Sequence, residues 1–143
     1  MAHPRRTLPP EVREELVVVD WKKTIVEYHE TKKRLTNCEM PIGKLAKAIG
    51  AMKYIENMAR SEVAVRFGEH VGWVDARTRF LFLHPMVQGL FDHKLAQGDR
   101  LKISDVISLM SVPRDAQLAA AGRLIQLRKR SARPFYPYNR RGL

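Results

Sequence analysis

Cysteine is nearly missing from this chain: 143 residues contain one, Cys38. A single thiol forms neither an intramolecular disulfide nor a multi-cysteine metal site, and it fits a reducing compartment. Long apolar runs are missing too. The longest stretch free of charge is Phe80 to Phe91, well short of the roughly 18 to 20 apolar residues that a spanning helix needs, so no transmembrane segment is expected. The glycines Gly43, Gly50, Gly68, Gly72, Gly89, Gly98, Gly122 and Gly142 never assemble into GxGxxG or GxxxxGK[ST], which removes the phosphate-cradling loops. His3, His29, His70, His84 and His93 stand at ligand spacing neither from one another nor from Cys38, and zinc needs three or four convergent donors. There is no HExxH, no CxxC and no tight acid cluster. No cofactor or metal is expected, and the chain reads as a non-enzyme.

Acidic residues are scarce in one place. From Glu11 to Asn37 six acids face six bases, whereas from Arg114 to Leu143 eight bases face only Asp115, a net of +7 out of a whole-chain charge of +11. A field concentrated in this way attracts polyanions: nucleic acid, an anionic membrane surface or an acidic protein face. What the chain does have is ordinary for a folded domain. Hydrophobic residues make up 45% and charged residues 29%, both near the globular average, so a packed core is expected rather than wholesale disorder.

The periodicity predicts an all-α protein: an irregular bundle of four or five helices with an extended basic C-terminal tail. Residues 1–8 read as an N-terminal arm, 9–130 as a single helical domain and 131–143 as the tail. Pro9 and Pro10 suit a first helical turn, and Glu11, Glu14 and Glu15 complement its dipole. Val18, Trp21, Ile25, Tyr28 and Leu35 share one face of a first helix, Glu11 to Leu35. Pro41 begins a second, whose stripe of Ile42, Leu45, Ile49, Met52, Ala59, Val63 and Phe67 runs on to terminators at Gly68 to Gly72. These two long helices are expected to pair as an antiparallel hairpin. Arg79 to His84 is strand or helical turn by pattern alone, while Phe80, Leu83, Val87, Leu90, Phe91 and Leu95 fit a third helix kinked at Pro85 and closed by Gly98. A short helix near Ser104 to Met110 and a last one from Pro113 to Arg130 complete the set. Trp21, Trp73 and most of the methionines read as packing residues.

Leu45-Ala-Lys-Ala-Ile-Gly50 resembles the second helix of a repressor-type helix-turn-helix, with Ala46 and Gly50 four apart. The resemblance covers about twenty residues and implies a DNA-binding regulator using Lys47 and Lys53. It departs from the motif where an apolar residue is wanted six beyond the glycine: Glu56 stands there, and Ala51 to Glu56 reads as continuing helix.

The basic tail carries the other functional signal. Arg123, Arg128, Lys129 and Arg130 are suited to neutralising phosphates, and Arg133, Phe135, Tyr136, Tyr138, Arg140 and Arg141 alternate charge with flat faces suited to stacking on unpaired bases. The same composition also suits docking in an acidic protein groove or peripheral contact with an anionic membrane. The expected function is a non-catalytic structural or accessory subunit of a large assembly. A mitochondrial ribosome, with the tail on RNA, is the natural setting; a respiratory-chain complex is the alternative, and a helix-turn-helix regulator a further one. The first ten residues lack the apolar core of a secretory signal, and the expected location is the mitochondrion or else the cytoplasm. A small helical enzyme using Glu69, His70 or His84 is the remaining reading, resting on their place near a helix break.

Overall fold

The computed structural model describes residues 8–33, 40–92 and 100–131. Among them the chain is all-helical, with no strand. The eight α-helices are α1 (Pro10–Val17), α2 (Trp21–Lys33), α3 (Ile42–Gly50), α4 (Arg60–Phe67), α5 (Val71–Thr78), α6 (Pro85–Leu90), α7 (Ile103–Met110) and α8 (Gln117–Ser131). Residues 1–7 of the expected arm and 132–143 of the expected tail lie outside the described residues, as do 34–39, with Cys38, and 93–99.

The expected long hairpin does not form, because each of its helices is cut by a local signal. After α1, Val17-Val18-Val19 places three β-branched side chains in a row, which crowd a helical backbone. Asp20 then caps a fresh helix, its Oδ1 accepting from the Lys23 amide at 3.2 Å. The second long helix becomes α3, a π turn over Ala51–Ile55 and, after a break, α4. The break is made by Asn57, the one described non-glycine residue with positive φ, at 59°; asparagine tolerates the left-handed region that stops a helix.

Pro85 also acts differently from the expected kink. It is the first residue of α6, where its missing N–H would have had no helical acceptor. His84 caps that helix, its Nδ1 accepting from the Met86 amide at 3.1 Å. The ambiguous run before it is a 3₁₀ turn, Arg79–Phe82, extending α5. Two buried glutamines satisfy the irregular backbone around it. Gln88 donates to the carbonyls of Leu81 and Leu83, while Gln117 donates to Leu109 and Val112 and accepts from the His84 amide. The helix expected near Ser104 is α7, and the last is α8 preceded by a 3₁₀ turn, Arg114–Ala116.

Two apolar clusters organise the packing. One gathers Val12, Leu16, Phe80, Leu81, Leu83, Val87, Phe91, Val106, Leu109 and Ile125 from α1, α6, α7, α8 and the 3₁₀ turn. The other gathers Tyr28, Ile49, Met52, Val63, Phe67 and Val74 from α2 to α5. Helix α3 serves both, since Ala46 belongs to the first cluster and Leu45, Ala48 and Ile49 to the second. Six of its nine residues are buried, and only the side that carries Lys44 and Lys47 faces outward.

Candidate nucleic-acid interface

Of the residues expected to bind a polyanion, the described ones divide. Arg123 and Lys129 are exposed on α8. Arg128 is committed elsewhere: its Nη2 lies 2.8 and 3.0 Å from the two oxygens of Asp105, whose carboxylate also accepts from the Lys102 amide at the start of α7. Asp105 is buried, so this pair joins α7 to α8. Arg130 is the penultimate residue of α8, and Arg133, Phe135, Tyr136, Tyr138, Arg140 and Arg141 lie outside the described residues.

An open groove of about 930 Å³ runs between α1, the start of α3 and α6. Glu11, Glu14, Glu15 and Asp92 line it against Lys44 and Lys47, and Lys47 is paired with Glu15. The excess of carboxylates makes it unsuited to a polyanion.

The helix-turn-helix expected at Leu45 to Gly50 is not there. Gly50 has right-handed helical φ and ψ of −62° and −41° and no turn follows it, while α3 is too buried to enter a groove of DNA. The same pattern occurs one helix later. Helices α4 and α5, eight residues each, are joined by Gly68, Glu69 and His70. Gly68 sits in the left-handed region at φ 68° and ψ 33°, and the Glu69 amide donates to the Ala64 carbonyl at 2.9 Å, closing α4. Ala64, four before the glycine, is buried, and Val74, six after it, is fully buried and pins α5. A short glycine-containing turn thus joins two packed helices, the kind of connection that a helix-turn-helix unit uses.

Aromatic packing and polar clamps hold the unit rigid. Tyr28, Phe67 and Trp73 meet pairwise with centroids 5.3 to 5.4 Å apart, and the Arg77 guanidinium lies 4.3 Å from the Trp73 ring centroid. Trp73 is thus a packing anchor, as expected. His29 Nε2 donates to the Arg66 carbonyl at 2.9 Å, just before the turn. Glu69, in the turn, accepts from the Tyr28 hydroxyl and lies 2.8 Å from Lys32 Nζ. Burial pushes the Glu69 carboxyl up, but hydrogen bonds from Lys32 and Tyr28 and the charges of Lys32 and Arg77 outweigh it and hold the group below its ordinary 4.5. Of the three residues considered for chemistry, Glu69 ties the turn to α2 and His84 caps α6, while His70 is exposed at the N-terminal flank of α5 and its side chain makes no cap hydrogen bond.

Helix α5 turns Val74 and Thr78 inward. On its other side stand Gly72 and Ala76, continued by Arg79 of the following 3₁₀ turn, with Asp75 at the edge of that stripe. A Cβ added at Gly72 would meet nothing within 4 Å, so the start of this face is open, while Ala76 is half-buried. Bases stand on the Asp75 side of it: Arg60 on α4, paired with Asp75, and Lys53 on the π turn. Among the described residues no group of three or more His, Cys, Asp or Glu side chains is placed to hold a metal. No described helix is long and apolar enough to cross a membrane.

The sequence held the signal for this site. Ala64, Gly68 and Val74 meet the spacing rule that Ala46, Gly50 and Glu56 fail, but a helix read as running unbroken to Gly68 hides a motif that straddles its end. No family model, curated protein or solved structure matches the chain, so the site rests on its own geometry.

Proposed function

We propose that this protein binds duplex DNA through α4 and α5, with α5 as the helix presented to the major groove. One observation carries the reading: the left-handed Gly68 turn between two packed eight-residue helices, with Ala64 and Val74 buried at the motif's spacings. The stripe of Gly72, Ala76 and Arg79, open at its start, supports it, as does a chain charge of +11, which favours association with a phosphate backbone.

The test is fluorescence anisotropy of the purified protein with labelled duplexes across a salt series. Binding is expected to weaken steeply with salt. Ala76→Glu, which sets a carboxylate on the outward stripe, is expected to reduce affinity at least tenfold while the thermal transition stays put. Undiminished binding by that folded variant would remove α5 from the interface.

A structural subunit docking on RNA or an acidic partner is a second reading. It is supported by exposed Arg123 and Lys129 on α8, leading toward the basic residues 132–143. A mitochondrial ribosomal or respiratory setting belongs to this reading. Rapid sedimentation of the native protein that ribonuclease abolishes would favour it over the DNA reading.

A further inference from the structure

The carboxylate of Asp75 faces away from the core at the edge of the outward stripe of α5, where it forms an ion pair with Arg60, the first residue of α4. The side chains of Arg60 and Asp75 are 59% and 33% exposed, so this is a surface pair, of a kind that contributes little to stability. Lys53, in the middle of the preceding π turn, lies with its Nζ 5.4 Å from the Tyr54 ring centroid and near enough to Asp75 to feel its charge. Burial lowers its pKa from 10.5, Asp75 draws it back up and Arg60 lowers it further. One cation, from α4, thus pairs directly with this carboxylate beside the proposed recognition helix, and a second, from the π turn, acts on it through space.

Such an arrangement holds an oxyanion. A guanidinium presents the same donors to a carboxylate as to a phosphate, and an ammonium serves either as a point charge. We propose that Lys53 and Arg60 form a subsite for a DNA backbone phosphate, and that Asp75 fills it in the free protein as an internal stand-in that the phosphate displaces. The inference rests on the duplex-binding reading above and adds to it a contact that sets register on the backbone. Because the stand-in must be displaced whatever the base sequence, Asp75 weakens binding to every duplex alike.

Anisotropy titrations of the full chain with two duplexes of unrelated sequence, over a salt series, test this on four variants. Asp75→Asn is expected to tighten binding to both duplexes by about two- to five-fold, the range a competing surface ion pair supports. Arg60→Gln and Lys53→Gln are each expected to weaken binding and to flatten the log–log salt slope by about 0.9, one phosphate contact. Asp75→Glu, which keeps the charge, is expected to bind like wild type.

Weaker binding by Asp75→Asn, or an effect on one duplex only, would make Asp75 a reader of bases and overturn the proposal. Slopes unchanged in both Arg60→Gln and Lys53→Gln would remove the phosphate subsite. These failures leave the duplex-binding reading standing provided wild type binds and Ala76→Glu does not. A wild type that binds neither duplex, or prefers single-stranded RNA, overturns both. Circular dichroism melts accompany each variant, and the two slope measurements do not depend on Asp75→Asn folding.

Discussion

Gly50 shows how one missing side chain can decide where elements meet. A Cβ built there would come within 2.5 Å of Leu81 Cδ1 and 3.1 Å of Leu16 Cδ1 and Cδ2. Both leucines are fully buried, so neither swings aside without disturbing the first apolar cluster. Alanine in a helix interior is favoured over glycine by roughly 1 kcal/mol, whereas forcing a methyl into a packed core costs about 1 to 3 kcal/mol. The clash wins. Gly50→Ala is therefore expected to destabilise the protein, by up to about 2 kcal/mol, in denaturant unfolding followed by circular dichroism; a more stable variant would show that α3 has room to shift. The opposite case is Gly72, whose open surroundings leave space for a side chain and place it on the face that the DNA reading uses.

At the scale of elements, the Gly68 turn is the critical joint. A residue with a Cβ in the left-handed region costs roughly 1 to 2 kcal/mol, and Gly68 sits there at φ 68° with only His29 Cε1 within 4 Å of a built Cβ, at 3.7 Å. Space is adequate and conformation is not. Gly68→Ala is expected to lower stability by about 1 kcal/mol and to weaken duplex binding beyond what the lost stability explains, because α5 would be presented at a different angle. Equal affinity at temperatures where both proteins are folded would separate the turn from function. Helix breaks elsewhere follow comparably local causes: Val17-Val18-Val19 with Asp20, Asn57, and Pro85 with His84. Each was present in the sequence, but a continuous 3.6-residue stripe outweighs a single stop signal when only periodicity is read. The stripe is not continuous in the structure: Val18 and Ala59, expected on the apolar faces, are exposed at the breaks, while Tyr28, Leu45, Ile49, Met52, Val63 and Phe67 are buried.

For the whole molecule, Glu69 links α2 to the turn of the proposed DNA-binding unit and makes stability depend on acid. Its folded pKa lies below 4.5, so the folded state favours the carboxylate. The stabilisation it gives is present above the unfolded pKa and is lost as pH falls through the folded value. The thermal midpoint of wild type is expected to drop on acidification below 4.5 by more than that of Glu69→Gln, which begins lower at neutral pH and carries no charge to lose. Parallel pH profiles would show that Tyr28 and Lys32 do not hold the carboxylate in solution.

All-helical architecture, the start of α1 at the prolines, the positions of α7 and α8, and the anchoring parts of Tyr28 and Trp73 were determined by the sequence alone. Helical periodicity, proline geometry and aromatic burial are local or compositional causes. The lack of a long apolar span was equally readable. Only the tertiary structure decided which small-residue-and-glycine pair makes a turn. Ala46 with Gly50 and Ala64 with Gly68 share one spacing, but the first glycine is enclosed by Leu81 and Leu16 within a continuing helix while the second stands at an exposed end, free to adopt a left-handed conformation. Tertiary contacts likewise set Arg128 against Asp105 and Arg60 against Asp75, since partners so far apart in sequence are chosen by packing and not by spacing along the chain.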